Sequence, residues 1–147
     1  ATSARFGALL SGAKPEVVEV LTKFGEKIGV AFQVADDLLD VASNETASGK
    51  TPGTDLKEGI PTLVTLYVIA ANETADKDLI AKLRGPISDQ DLPDVISKLR
   101  THNAVKEVQA YLAQVAKEAN DLLVDLPEGA AKEGLKNLTY ALVNRST

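Results

Sequence analysis

The chain has 147 residues, with 16 Lys and Arg against 21 Asp and Glu, a net charge of −5 and no cysteine. That balance excludes a nucleic-acid surface and a polybasic membrane patch, and the missing cysteines exclude disulfides and thiolate metal sites. No run of about 18 apolar residues occurs and no signal-peptide pattern opens the chain, so a cytoplasmic protein without a transmembrane segment is expected. A hydrophobic content of 44% suffices for the core of one domain spanning residues 1–147. With three Phe, three Tyr and no Trp, that core is built from Leu, Val, Ile and Ala.

Residues 2–12 have helical character. Pro15 suits the first turn of a second helix, and Glu16 and Glu19 suit the positive end of its dipole. From there Val17, Val18, Leu21, Phe24, Ile28, Ala31, Phe32 and Ala35 recur at three- and four-residue intervals, so one helix is predicted to run unbroken into Asp36, Asp37 and Asp40. Gly25, Gly29 and Gln33 share one of its faces. Two glycines cost about 1 kcal/mol each in a helix interior, which points to close helix packing, to space opened between helices, or to both.

The end of this helix carries the chemistry. Asp36 and Asp40 lie one turn apart, Asp37 and Asp40 are neighbours at i, i+3, and Gln33 precedes the pair by a turn, so the polar groups form one stripe. Phe32, Val34, Leu38, Leu39 and Val41 cover much of the remaining circumference, as expected of an interior helix with the stripe facing inward. Several ionised carboxylates gathered in such a place repel and lose hydration, and cations are the natural compensation. With oxygen donors alone, a hard ion such as Mg2+ fits better than zinc or copper. Magnesium takes one or two carboxylates, keeps water and completes its shell with phosphate oxygens, so the stripe reads as one wall of a site for a phosphorylated ligand. The bland alternative is a solvated helix face.

Further on, residues 43–49 read as a loop that Lys50 closes. Lys50 is either a solvated surface residue or a compact positive charge for an anionic ligand. Asp55 either caps the next helix or holds the loop. Pro61 to Ala71 is expected to form a buried helix, Asp76 to Leu83 a short one, and Ser88 to cap another containing Leu92, Val95, Ile96 and Leu99. Asn103 starts a longer helix with Val105, Val108, Tyr111, Leu112, Val115, Ala116, Ala119, Leu122 and Leu123 on its buried side, and Ala130 to Val143 forms the last. His102, the single histidine, reads as a boundary residue. No segment alternates as a strand, so an all-α fold of roughly six helices is expected.

Phe32-Gln33 followed by Asp36-Asp37-Leu38-Leu39-Asp40 resembles the second aspartate-rich motif of the trans-type polyprenyl (isoprenyl) diphosphate synthases. Gly49-Lys50-Thr51-Pro52-Gly53-Thr54-Asp55-Leu56-Lys57-Glu58-Gly59 is similar to the segment that follows it there, and Pro61-Thr62-Leu63 to its continuation, with Ile60-Pro61 as a local departure. The resemblance implies a helical bundle around a central cavity, Mg2+ as cofactor, a homodimer, and prenyl transfer from an allylic diphosphate to isopentenyl diphosphate. It also implies roles for residues. Asp36 would be a direct metal ligand, Asp40 a direct or water-mediated one, Asp37 an outer partner, Phe32 and Gln33 neighbours of the substrate, and Lys50 the contact to the allylic diphosphate. The family's upstream aspartate motif is absent, so the chain is expected to be a C-terminal portion, inactive alone, with Arg145 near the true terminus. A non-catalytic subunit of a heteromeric synthase and a plain helical interaction module are the alternatives.

Overall fold

The computed structural model describes residues 1–42 and 52–145, and among these every regular element is helical. In chain order they are α1 (Thr2–Leu10), α2 (Pro15–Ala42), α3 (Thr54–Glu58), α4 (Leu63–Ala71), α5 (Lys77–Lys82), α6 (Leu92–Thr101), α7 (Asn103–Leu122) and α8 (Ala130–Arg145). Single 3-10 turns stand at Thr74–Asp76 and Leu123–Asp125. The helix that the sequence does not announce is α3, a short piece closed by Gly59. Gly59 and Asn72 both adopt positive φ, which ends a helix.

The chain folds as two compact units, one of Ala1–Ala35 with Tyr111–Arg145, the other of Asp36–Ala110. In the first, Phe24 of α2 is buried with Ala119 and Leu123, and Ile28, Leu122, Leu126 and Leu135 pack around them. The two glycines of α2 part company here. A Cβ on Gly25 would fall 2.9 Å from the Ala4 Cβ and 3.2 Å from the Ala1 Cα, so α1 approaches α2 closely, whereas Gly29 has nothing within 4 Å. Lys132 is the buried charge of this unit. Its Nζ donates to the carbonyls of Val124 and Leu126, both at 2.9 Å, and to Glu128 Oε1 at 2.7 Å, which uses all three ammonium hydrogens at the junction of α7 and α8.

In the second unit Val34's successors on α2, Leu38 and Val41, are fully buried, as are Val64, Val68, Val95, Leu99 and Val108. Helix α4 begins at Leu63 rather than Pro61, because Thr62 is its N-cap and forms a capping box with Thr65. Ser88 does not cap α6. Its hydroxyl accepts from the Asp91 N–H at 3.2 Å in a local turn, and the helix starts at Leu92 with Pro93 in its first turn. Arg100 reaches back from α6 to donate from Nε to the Val41 carbonyl at 2.9 Å, placing a guanidinium at the negative end of α2.

Candidate functional site

The acidic turn is held by backbone amides on two sides. Asp37, 8% exposed, accepts from the Leu63 N–H through Oδ2 at 2.8 Å and so satisfies a first-turn amide of α4 that the helix cannot bond itself. Asp40 does the same for α3: Oδ1 accepts from the Thr54 N–H at 3.1 Å, Oδ2 from the Asp55 N–H at 3.3 Å, and its main-chain carbonyl from the Gly53 N–H at 2.9 Å. Gly53, not Asp55, is the N-cap of α3, at φ 82°. Burial pushes the Asp40 carboxyl above its ordinary range, the Asp55 charge adds to this, and the hydrogen bonds from Asp55, Thr54 and Gly53 oppose it.

The inward stripe is realised unevenly. Asp37 is buried, while Asp36 and Asp40 are partly exposed, which α2 achieves by running unbroken through Asp40 and turning successive residues by 100°. Phe32 was expected on a covered face but stands 50% exposed, and Gln33 is exposed too. Both belong to the first unit, the three aspartates to the second. Lys50 and the loop expected at 43–49 lie outside the described residues.

Among the described residues no three His, Asp or Glu side chains gather into a complete metal cage. Two carboxylates one turn apart, Asp36 and Asp40, nevertheless match the donor number and type that a magnesium-like ion takes from protein. His102 takes no part. Its Nδ1 accepts from the Ala104 N–H at 3.0 Å while Nε2 faces Asp76 Oδ2 at 3.1 Å, the pattern of an Nε2–H tautomer tying the α6–α7 joint to the 3-10 turn. Arg100 escaped the sequence reading, since a lysine- and arginine-bearing last turn carries no sign of which distant carbonyl it will meet.

The family model of polyprenyl synthetase matches residues 1–99, which include the whole acidic turn and the helix starts that hold it. The chain belongs to the polyprenyl synthetase family. It is 37% identical over 142 residues to nonaprenyl diphosphate synthase of Mycobacterium tuberculosis, covering 96% of this chain and 42% of that protein. Against heptaprenyl diphosphate synthase component 2 of Geobacillus stearothermophilus it is 34% identical, covering 99% of this chain and 45% of that protein. A crystal structure of geranylgeranyl pyrophosphate synthase from Corynebacterium glutamicum, complexed with calcium and isoprenyl diphosphate, superposes with a TM-score of 0.86 at 34% identity, over 97% of this chain and 44% of that one. The all-α fold is therefore that of the polyprenyl synthetases, and the chain spans less than half the length of these relatives.

Proposed function

We propose that this chain supplies one acidic wall of a polyprenyl diphosphate synthase, an enzyme that transfers a prenyl group from an allylic diphosphate to isopentenyl diphosphate with Mg2+. The observation that carries the reading is the continuity of α2 through Asp40, which keeps Asp36 and Asp40 one turn apart and partly exposed in a chain of this family. Asp36 would hold the cation directly, Asp40 directly or through a bound water, and Asp37 from behind, with its carboxylate fixed on the Leu63 amide. When bound, Mg2+ acts as a Lewis acid on the diphosphate leaving group. Gln33 and Phe32 would line the approach of the substrate, and Lys50 would neutralise its diphosphate as a compact charge. A homodimeric, cytoplasmic enzyme with all of residues 1–147 in one synthase domain completes this reading.

The relative from Geobacillus stearothermophilus is a component of a heptaprenyl diphosphate synthase. It favours a second reading, in which the chain belongs to a subunit that works beside another polypeptide. In both readings one carboxylate wall does not make a site. Incubated with Mg2+, an allylic diphosphate and isopentenyl diphosphate, the 147-residue chain is expected to release no diphosphate, whereas a full-length synthase containing this sequence does; measurable release by the chain alone would refute that expectation.

A further inference from the structure

We propose that His102 is an acid-released latch at the joint between α6 and α7. As the neutral Nε2–H tautomer its ring ties the first turn of α7 to Asp76; as an imidazolium it keeps Asp76 and lets the α7 turn go.

One residue makes the whole joint. Helix α6 ends at Thr101 and α7 starts at Asn103, so His102 closes one and opens the other: its N–H donates to the Leu99 carbonyl at 3.0 Å, and its carbonyl accepts from the Val105 N–H at 3.2 Å. The Ala104 amide lies in the first turn of α7, where the helix offers no carbonyl, and the ring supplies the acceptor through Nδ1 at 3.0 Å. Its other nitrogen faces Asp76 Oδ2 at 3.1 Å, with the two side chains only 16% and 19% exposed. A ring nitrogen that accepts from an N–H carries no hydrogen, which puts the proton of the neutral ring on Nε2. A second proton then has one place to go. On Nδ1 it would confront the Ala104 N–H and cancel the cap, and it would bring positive charge to the positive end of α7, whose first turn holds no acidic residue to offset it. Toward Asp76 the same change is favourable, since a neutral donor becomes a charged one. The other charged groups of the elements that meet here are engaged elsewhere or exposed. Lys98 pairs with Asp94, Arg100 donates to the Val41 carbonyl, and Glu107 accepts from Asn103 Nδ2 at 2.6 Å, while Glu73, Lys77, Asp78 and Lys106 are exposed. The latch also closes the same end of α6 from which Arg100 reaches α2.

The test reads the protection factor of the Ala104 amide by NMR hydrogen exchange from about pH 8 to about pH 5, the range in which an imidazole takes up its proton. It compares the chain with two variants that each keep one side of the ring. His102→Asn places an oxygen near the position of Nδ1, a good helix cap that does not titrate; His102→Gln reaches toward Asp76 and leaves the cap empty. In the parent chain, protection of Ala104 is expected to fall by about ten-fold in step with the ring's titration, while the interior amides of Val95 and Val108 keep theirs. His102→Asn is expected to hold Ala104 at the parent's high-pH level throughout, and His102→Gln to leave it unprotected throughout. Nitrogen shifts of the parent ring are expected to show the Nε2–H tautomer at high pH. Protection of Ala104 that ignores the ring's titration, an Nδ1–H tautomer at high pH, or the same acid loss in His102→Asn overturns the latch. The parent's titration and tautomer decide the matter by themselves if a variant does not fold.

Discussion

Lys132 and the acidic turn both use charged side chains to hold helix ends, and they do so with different kinds of partner. At Lys132 the buried ammonium meets two carbonyls and the Glu128 carboxylate, so the chain supplies hydrogen bonds and countercharge together. At Asp37 and Asp40 the partners named above are neutral amides of Leu63, Thr54 and Asp55, which satisfy oxygen lone pairs without cancelling charge. Burial and the nearby Asp55 accordingly disfavour the ionised form of Asp40. The first arrangement is closed on itself and serves the fold. The second gathers three carboxylates within five residues at one helix end, where Arg100 also reaches the Val41 carbonyl.

Removing the charge separates the two regions most sharply. Lys132→Met keeps most of the apolar stem but abandons the Val124 and Leu126 carbonyls that follow α7, and denaturant unfolding is expected to show a loss of about 2–4 kcal/mol. At Asp37 a neutral group can do the structural part of the work. Asp37→Ala, which strips the Leu63 amide of its acceptor, is expected to cost about 1–2 kcal/mol, and Asp37→Asn, whose amide oxygen still accepts, less than about 1 kcal/mol in the same measurement. Equal losses for Asn and Ala at Asp37 would mean that its charge is structural too, and the contrast with Lys132 would disappear.

The same contrast explains what was legible in the sequence. Helix α2 could be read from Pro15 into the aspartates because its apolar residues keep a 3.6-residue period throughout, and α7 from Val105 to Ala119 for the same reason. The breakpoints were harder. The apolar run points to Pro61 as the start of α4 because the Thr62–Thr65 box hides inside it, and Ser88 reads as a cap although a serine before an apolar repeat serves a local turn equally well. Burial of Lys132 was invisible, since a Glu128–Lys132 spacing is also that of an ordinary surface pair. In the acidic turn the residue types showed where charge accumulates, but not that Asp37 and Asp40 face amides 26 and 14 residues away. Such pairings depend on how α3 and α4 return to α2, which no local pattern records. Phe32 failed in the other direction: an aromatic at helical spacing promises cover, and here it is half exposed.

The central claim is that the end of α2 grips a cation through Asp36, and steady-state prenyl transfer by a full-length synthase containing this sequence tests it most directly. With Asp36→Ala, turnover at saturating Mg2+ is expected to fall by about two to four orders of magnitude while the far-ultraviolet circular dichroism of the helices is unchanged, the size expected for losing a direct ligand to a catalytic cation. An Asp36→Ala enzyme that turns over at the parent rate, with the parent's Mg2+ dependence, would contradict it.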